Sequence, residues 1–315
     1  AMEHLLPPQK PKLLLVDGTS IVRRVFEAVK GDDTPERAEG SLNSSWGSFM
    51  RALREHEPTH FLAAFDHGGE TWRHRLFSQY KADRKPMSAH LHAALPGFLE
   101  RLNNAGMRTL RVPDVEADDT LTTLALKAVE RGFEVVLLAS DKDLYKLLAS
   151  GVCIYDHFQS EWRDAEWVQE RYGVTPDKMT DYLALMGDDV DGIPGVDGVG
   201  EKIAARLLSE YGDLEGVIAA SDDIKGKLGE RLRDSFAVAR LSRRLATMRT
   251  DVPLGLTPRD IQLPAALVAH IQTMPQPRLV RTSPMAREIG QAHQAAQAAQ
   301  SQSEPVARQA RRLRM

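Results

Sequence analysis

The sequence predicts an α/β fold with a mostly parallel central sheet, helices on both faces, and a second, helical lobe. In the first half of the chain, short apolar runs of the β type alternate with amphipathic helical segments, the order expected of parallel strands joined by crossover helices. After about Asp164 the strand-like runs stop, and helical patterns continue through Thr250. We therefore expect an α/β domain over 12–163 and a helical lobe over 164–254.

Four strands and four helices are expected in the α/β domain. The strands are short apolar runs at 12–16, 59–66, 108–112 and 134–140. The helices follow them at 21–29, 42–57, 89–105 and 117–131, and 31–39 has the composition of a polar loop. Strands that alternate with helical segments in this way predict a parallel sheet with helices on both faces.

Two segments depart from the pattern. Residues 67–88 are rich in Arg, Lys and aromatic side chains with little apolar periodicity, which predicts a mobile excursion from the sheet. Beyond about Leu263 the composition shifts to Ala, Gln, Ser, Pro and Arg, so we expect 264–315 to be a disordered tail rich in Arg, Ala and Gln.

Composition sets broad bounds on the class of protein. The 315 residues are 42% hydrophobic, enough for a substantial core. No apolar run approaches the ~20 residues of a membrane span and no secretory leader is evident, so we expect a cytoplasmic protein with no membrane partner. A single cysteine, Cys153, excludes an internal disulfide and is expected to be buried. The net charge of −3 does not exclude a nucleic-acid partner, because seven Arg residues concentrate after residue 276.

Nine acidic residues stand in five short clusters, most of them directly after an apolar β-like run. They are Asp17; Asp66; Glu116, Asp118 and Asp119; Asp141 and Asp143; and Asp188 and Asp191. Because the carboxyl ends of parallel strands meet at one edge of a sheet, we expect these acids to share a crevice. For each position alone, a helix N-cap or turn is the alternative. Carboxylates crowded together would repel one another unless cations held them.

Oxygen ligands select hard cations, so the acids predict two Mg²⁺ ions, with Mn²⁺ as a substitute, in preference to Zn²⁺. Two ions about 4 Å apart can activate a water and stabilise the leaving oxygen of a phosphodiester. The segment GDDVDGIPGVDGVGEKIAARLL joins a Gly-rich loop to an amphipathic helix, an arrangement that presents backbone N–H groups to a phosphate. A plain helix hairpin is the alternative. Because the Gly-rich loop lies directly after Asp188 and Asp191, we favour binding to the nucleic-acid backbone.

Five ordered motifs resemble the 5′ nuclease superfamily, which includes the 5′–3′ exonuclease domain of bacterial DNA polymerase I and free-standing bacterial flap endonucleases. The motifs are LLLVDGTS, AAFDHGGETWRHRLFSQYKADRKPM, VPDVEADDTL, LLASDKDLYKLL and LALMGDDVDGIPGVDGVGEKIAARLL. The resemblance covers 12–254 and implies a PIN-like 5′ nuclease fold, with a helical arch or clamp over about 67–92 and a helix-three-turn-helix element in the lobe. It also implies a monomeric, nucleoid-associated bacterial enzyme that hydrolyses DNA at a 5′ flap, a nick or a free 5′ end.

The resemblance further assigns metal ligands and catalytic groups. One ion would be held by Asp17, Asp66, Glu116 and Asp118, with Asp119 close by. The second would be held by Asp141, Asp143 and Asp191, with Asp188 near it. Lys81 and Arg84 would be catalytic, stabilising the scissile phosphate.

DNA and potassium contacts are implied in the same way. The DNA-binding set is Arg73, Tyr80, Lys81, Arg84, Gly195, Gly198, Gly200 and Lys202, with Tyr80 stacking on a base. A K⁺ ion would bind the main-chain carbonyls of Leu185, Met186, Pro194, Val196 and Val199. The chain departs from polymerase-linked members at Asp189 and Gly192, where those more often carry a small residue and Asn, and this bears on substrate preference.

Two other function classes compete with a nuclease. A haloacid-dehalogenase phosphatase also begins with a strand ending in DGT, but its nucleophilic Asp would fall at Leu15. A non-catalytic DNA junction-binding module of the same fold is the second alternative. Retention of all nine acids argues against it, because an unused carboxylate cluster costs stability through mutual repulsion.

Overall fold

A computed structural model describes residues 10–275 and contains a six-stranded sheet in the order β3-β2-β1-β4-β5-β6. The strands are β1 (Lys12–Asp17), β2 (His60–Ala64), β3 (Arg108–Leu110), β4 (Glu134–Leu138), β5 (Cys153–Asp156) and β6 (Glu161–Trp162). Strands β1 to β5 pair in parallel, and β6 is antiparallel to β5. The predicted mostly parallel α/β sheet is therefore confirmed.

Twelve α-helices surround this sheet within 10–275. Those of the first half are α1 (Gly18–Ala28), α2 (Pro35–His56), α3 (Trp72–Leu76), α4 (Ala89–Asn104) and α5 (Ala117–Glu130). The rest are α6 (Ala165–Tyr172), α7 (Met179–Met186), α8 (Glu201–Tyr211), α9 (Leu214–Ala219), α10 (Gly226–Asp234), α11 (Phe236–Ala246) and α12 (Ala265–Thr273). Short 3₁₀ helices lie at Lys142–Ser150, Pro176–Lys178 and Pro258–Ile261. None of the described helices is long and apolar enough to cross a membrane.

Alternating side chains of the central strands build two core layers. Leu13 and Leu15 of β1 belong to a continuous apolar cluster that includes α5 and the lobe helices α7, α8 and α11. Phe61 of β2 points the other way and packs edge-on against Phe49 of α2, which in turn contacts Phe98 of α4. Because successive strand residues face opposite sides, the unbroken apolar run over 13–16 of β1 is what a sheet covered on both faces requires.

Several element boundaries differ from the sequence prediction. The segment predicted as a loop over 31–39 is helical from Pro35, because Thr34 caps α2 by accepting the Arg37 N–H and Pro35 occupies the first turn. Strands β5 and β6 were not predicted, since runs of four and two residues carry almost no periodic signal. Cys153 is exposed on β5, so the prediction of a buried thiol is wrong.

The segment predicted as a disordered tail, 264–315, begins with a helix. Residues 265–273 form α12, which packs against α2 and buries Ile271. Leu263 donates its backbone N–H to Thr59 O, which fixes the start of this segment beside β2. The remainder of the predicted tail, 276–315, lies outside the described residues.

The Arg- and aromatic-rich segment is also more firmly packed than predicted. It forms α3 and a series of turns that lead to Ser88, the N-cap of α4. Arg73 has no exposed surface and Tyr80 only 1%, so the prediction of a mobile excursion is wrong for this part of the segment. These two side chains bring the segment into contact with the acidic residues described next.

Candidate active site

Acidic side chains from the ends of three parallel strands begin the site. Asp17 is the last residue of β1, Asp66 follows β2 by two positions, and Asp141 follows β4. Asp17 caps α1 by accepting the backbone N–H of Ser20 at 3.1 Å and its hydroxyl at 2.5 Å. Asp141 caps the following 3₁₀ helix through the Asp143 N–H. The capping alternative is thus correct for both residues, and in Asp141 that bond uses a single oxygen.

Three carboxylates form a compact group suited to one cation. Asp141, Asp143 and Asp191 each place an oxygen within 4.8 Å of the others. Asp143 lies in the 3₁₀ helix and Asp191 in the loop between α7 and α8, so the helical lobe contributes to the site. Burial raises the pKa of Asp191 to about 6, with Lys81 opposing the shift and Asp141 adding to it. Burial, then Asp141 and Asp191, raise the pKa of Asp143 well above its usual range.

A neighbouring group is built around Asp17 and Asp118. Burial raises the pKa of Asp17 to about 6; its bond to Ser20 lowers the value, while Asp66 and Asp141 raise it further. Burial, then the charges of Asp17 and Asp141, raise the pKa of Asp118 well above its usual range. Asp141 belongs to the compact group and its charge also acts on Asp17 and Asp118, so the two groups are neighbours. The acids predicted at the strand ends therefore do converge.

Asp66 and Asp188 lie at the margins of the crevice. Asp66 is exposed and accepts the Ala117 N–H at 2.9 Å, which ties the β2 end to the start of α5. Asp188 accepts the Val190 N–H and pairs with Lys142 at 2.7 Å. Lys142 was missed by sequence reasoning, although a lysine between two site aspartates in SDKDL is a signal for a local counter-charge.

The donor set fits a hard divalent cation. Asp118 Oδ1 and Asp143 Oδ1 are buried and have no hydrogen-bond partner among residues 10–275. A buried carboxylate oxygen without a donor is costly unless it is protonated or meets a cation. All the grouped ligands are oxygen atoms, with no His or Cys among them, which suits Mg²⁺ or Mn²⁺ better than Zn²⁺.

Asp119 has a different environment, and the prediction that it is a metal ligand is wrong. Its side chain is fully buried, and its two oxygens accept from both Nη atoms of Arg73 at 2.7 and 2.8 Å. They also accept the backbone N–H groups of Glu116 and Arg249. Four donors saturate this carboxylate, so it joins α3, α5 and the chain after α11 instead of facing the crevice.

Two residues predicted to contact DNA are part of the same buried layer. Arg73 Nε donates to Leu245 O at 2.8 Å and Nη1 to Glu116 Oε2 at 2.7 Å. Tyr80 donates its hydroxyl to Glu116 Oε2 at 2.9 Å and is only 1% exposed. Neither side chain is accessible to DNA in this structure, so the predicted base stacking by Tyr80 and DNA contact by Arg73 are wrong. Both instead hold Glu116.

Glu116 links this buried layer to Lys81. The Lys81 ammonium contacts Glu116 Oε1 and lies 3.9 Å from Asp191 Oδ2, between the two carboxylate groups. Burial alone would raise the pKa of Glu116, but Lys81 and Arg73 hold it below its usual range. Burial alone would lower the pKa of Lys81. The charges of Glu116 and other acidic groups outweigh burial and raise this pKa well above its usual range, so the ammonium stays charged.

The backbone of Lys81 is fixed by the helical lobe. Its N–H donates to Asp191 O at 2.8 Å, and its φ of 52° lies in the left-handed region. The next residue of the lobe loop, Gly192, has φ 67°, and a Cβ there would lie 2.5 Å from Gln79 O. Only glycine fits this close approach without displacement of the chain around Lys81. Arg84 is exposed, and the charges of Asp191 and Asp66 raise its pKa against the effect of burial.

The Gly-rich loop between α7 and α8 forms a tight turn beside this site. Gly195 has φ 65°, and a Cβ there would lie 2.4 Å from Gly187 N. Gly198 has φ 74°, Gly200 is the N-cap of α8, and Lys202 is exposed in the first turn of that helix. Leu185 O accepts the Val196 N–H and Val196 O the Val199 N–H. The potassium set stays a prediction.

The comparisons with known proteins agree with this geometry. A family model described as the 5′–3′ exonuclease N-terminal resolvase-like domain matches 12–173, and the 5′–3′ exonuclease C-terminal SAM fold matches 174–267. Flap endonuclease Xni of Colwellia psychrerythraea is 33% identical over 273 residues, covering 82% of this chain and 94% of the relative. DNA polymerase I of Bacillus caldotenax is 39% identical, covering 80% of this chain but 29% of the polymerase.

Solved structures show the same fold. T5 D15 protein co-crystallised with metal ions has a TM-score of 0.64 at 20% identity, covering 75% of this chain and 89% of that one. The catalytic core of Rad2 in complex with DNA substrate has a TM-score of 0.51 at 17% identity, covering 78% and 80%. Together with the family models, these matches define the class of protein. The chain belongs to the 5′–3′ exonuclease family.

Proposed function

We propose that this 5′ nuclease hydrolyses DNA phosphodiesters at junctions between duplex and single strand, at a 5′ flap, a nick or a free 5′ end, with two divalent cations. Mg²⁺ is the proposed ion and Mn²⁺ a substitute. The observation that carries the proposal is the crevice of carboxylates whose pKa values are raised and two of whose buried oxygens have no donor among the described residues. Such a crevice needs positive charge to be stable at neutral pH.

The carboxylates divide into two ligand groups. Asp17 and Asp118, with Asp66 and Glu116 at their margins, would hold one ion, and Asp141, Asp143 and Asp191, with Asp188 beside them, would hold the other. A pair of bound ions supplies activation of a water and charge neutralisation at the leaving oxygen of an in-line displacement. The side chains that would surround the scissile phosphate are anchored by their contacts with one another, so little reorganisation would be needed.

Lys81 and Arg84 supply the proposed cationic contacts to the phosphate. Lys81 lies at the crevice with its backbone bonded to Asp191, and Arg84 is exposed at the same edge. A fixed ammonium stabilises the charge that develops on the phosphate oxygens more strongly than a flexible surface lysine would. We assign catalytic roles to both residues.

The helical lobe is the proposed duplex-binding element. The loop around Gly195, Gly198 and Gly200 and the exposed Lys202 would contact phosphates, with a K⁺ ion held by the main-chain carbonyls named above. Phosphate contacts carry no direct sequence information, so cleavage should depend on DNA structure and weaken with salt. We also propose that the protein acts as a monomer at the nucleoid in the bacterial cytoplasm.

Digestion of end-labelled DNA tests the proposal. Flap, nicked and single-stranded substrates are incubated with Mg²⁺, with Mn²⁺ or with a chelator, alongside Asp118→Asn protein. We expect metal-dependent cleavage near the 5′ junction of the flap substrate and loss of cleavage in the variant. Binding without cleavage by the wild-type protein in Mg²⁺ and Mn²⁺ would instead identify a non-catalytic junction-binding module.

A further inference from the structure

A cavity with a basic lining adjoins the Arg73 layer, because Arg73 Nη2 contacts Thr247 O and Met248 Sδ, which belong to two of the lining residues. Its volume is about 230 Å³, and it is lined by Trp72, Arg243, Arg244, Thr247, Met248 and Arg249. That volume is an order of magnitude above the roughly 10–15 Å³ that a single water requires. The cavity therefore has room for a group the size of a phosphate with part of a sugar or base.

Two of the cationic or hydrogen-bond-donating groups in the cavity lining have no partner among the described residues. Arg243 pairs with Glu215 at 2.8 Å and Arg249 with Asp251 at 2.9 Å. Arg244 is exposed and has no ion-pair partner among the described residues. Trp72 Nε1 is buried and lacks a hydrogen-bond partner within 10–275. The free guanidinium of Arg244 in this lining fits an anion, and the buried indole N–H of Trp72 is a further donor without an acceptor among the described residues.

The position of the cavity relates it to the strand that is cut. Trp72 directly precedes Arg73, whose Nη1 lies 2.7 Å from Glu116 Oε2 at the acidic crevice. Two consecutive residues, Trp72 and Arg73, therefore connect the cavity lining to the acidic crevice. Guanidinium groups beside an aromatic ring suit single-stranded nucleic acid, since a phosphate meets the cations and an unpaired base meets the ring. A paired base would first have to leave its stack, which disfavours duplex at this position.

We propose that this cavity binds a backbone phosphate and the adjoining unpaired base of the single-stranded part of the substrate. The proposal rests on the nuclease function proposed above and adds a subsite to it. Arg244 supplies the free charge, and Trp72 supplies an aromatic ring edge for the base. The subsite favours substrates with a single-stranded flap over nicked duplex without one.

The test compares two substrates and two arginines of α11. Dissociation constants are measured for a flap substrate and for a nicked duplex without a flap, in an Asp118→Asn background that keeps the DNA intact. Arg244→Ala should weaken flap binding by about 3- to 10-fold and reduce the magnitude of the log–log salt slope by about 0.7, the value for one single-strand phosphate. Arg240→Ala is the matched control, because Arg240 lies one turn earlier and pairs with Glu215 outside the cavity.

Each outcome decides the assignment. A flap-specific loss in Arg244→Ala, with restoration by Arg244→Lys and near-normal binding in Arg240→Ala, supports it. Equal losses on both substrates, or equal losses in both alanine variants, would overturn it. Inorganic phosphate that competes with flap DNA equally well against wild-type and Arg244→Ala protein would show that Arg244 does not bind a phosphate, and would also overturn it. Failure of the nuclease proposal is seen separately, as absence of cleavage by wild-type protein with Mg²⁺.

Discussion

Asp118 and Asp119 are adjacent in the first turn of α5 and both are buried, yet they are in opposite electrostatic states. Asp119 accepts four hydrogen bonds, two of them from Arg73. Asp118 faces Asp17 and Asp141, and its Oδ1 has no donor within the described chain. The difference shows that burial alone does not make a carboxylate a metal ligand. The deciding factor is whether the fold pairs the carboxylate with a cationic side chain or leaves one of its oxygens without a donor.

The same contrast separates two regions of the molecule. The layer around Arg73 is a closed ion network that joins α3 and α5 to Leu245 at the end of α11. The crevice beyond Glu116 contains more acidic than basic side chains. Lys81 pairs with Glu116, and Lys142 pairs with Asp188. We infer that the first region stabilises the fold and that the second stores repulsion, which divalent ions relieve.

The largest expected effect is the loss of the closed network. Arg73→Ala leaves Asp119 as a buried charge without its bidentate partner and removes one of the two cations paired with Glu116, so we expect a loss of about 3–5 kcal/mol in the free energy of unfolding. Arg75→Ala is the control, because its ion pair with Asp114 is exposed and should be worth about 0–1 kcal/mol. Urea denaturation measures both, and equal losses would contradict the assignment of the Arg73 layer as structural.

The second prediction compares the adjacent aspartates directly. Asp118→Asn should reduce cleavage by more than the roughly 100-fold typical of an outer-shell metal partner, and should stabilise the metal-free protein because one repelled charge is removed. Asp119→Asn should destabilise the protein, since Arg73 then loses a bidentate carboxylate. Thermal melts in a chelator, paired with flap cleavage assays, separate the two effects; reversal of the two melting shifts would refute the comparison.

The distinction between Asp118 and Asp119 shows what the sequence could and could not predict. The strand ends placed Asp17, Asp118 and Asp141 in one crevice, because a parallel sheet brings its carboxyl ends together. The role of Asp119 depends on Arg73 and on the Arg249 backbone, 130 positions further along the chain. Likewise, Tyr80 looked like an exposed aromatic in a basic loop, and only the position of Glu116 shows that it is buried. Contacts between distant segments are not encoded in local patterns.

The third prediction concerns the junction between the two regions, where Lys81 is held by the lobe. Gly192→Ala places a Cβ 2.5 Å from Gln79 O at a φ of 67°, so we expect about 1–3 kcal/mol of strain and a reduced turnover number. Gly97→Ala, in the middle of α4 with no atom within 4 Å of the added Cβ, should be neutral or slightly stabilising. Unchanged stability and turnover in Gly192→Ala would show that this contact does not position Lys81.

The smallest expected effect is a pH-dependent response to metal. Asp17 and Asp191 have folded-state pKa values of about 6 against 3.8 for the free side chain, so between these values the folded state binds more protons than the unfolded state. Their contribution to the stability of the metal-free protein therefore falls as the pH rises from about 4 to about 6. Mg²⁺ binds the ionised form, so its stabilisation should be small at pH 5 and reach a plateau above pH 7. Melting curves with and without Mg²⁺ at each pH measure this stabilisation. A rise in melting temperature with Mg²⁺ that does not change with pH would contradict the prediction.

Counting bound Mn²⁺ by electron paramagnetic resonance tests most directly whether the open carboxylates, and not the paired ones, hold divalent cations. Wild-type protein should bind two Mn²⁺ ions per chain without DNA or with an uncleaved substrate analogue, and Asp118→Asn should lose or greatly weaken one of them. Folded Asp119→Asn protein should retain both. Failure of the wild-type protein to bind two ions, or loss of an ion in Asp119→Asn with none lost in Asp118→Asn, would contradict the account.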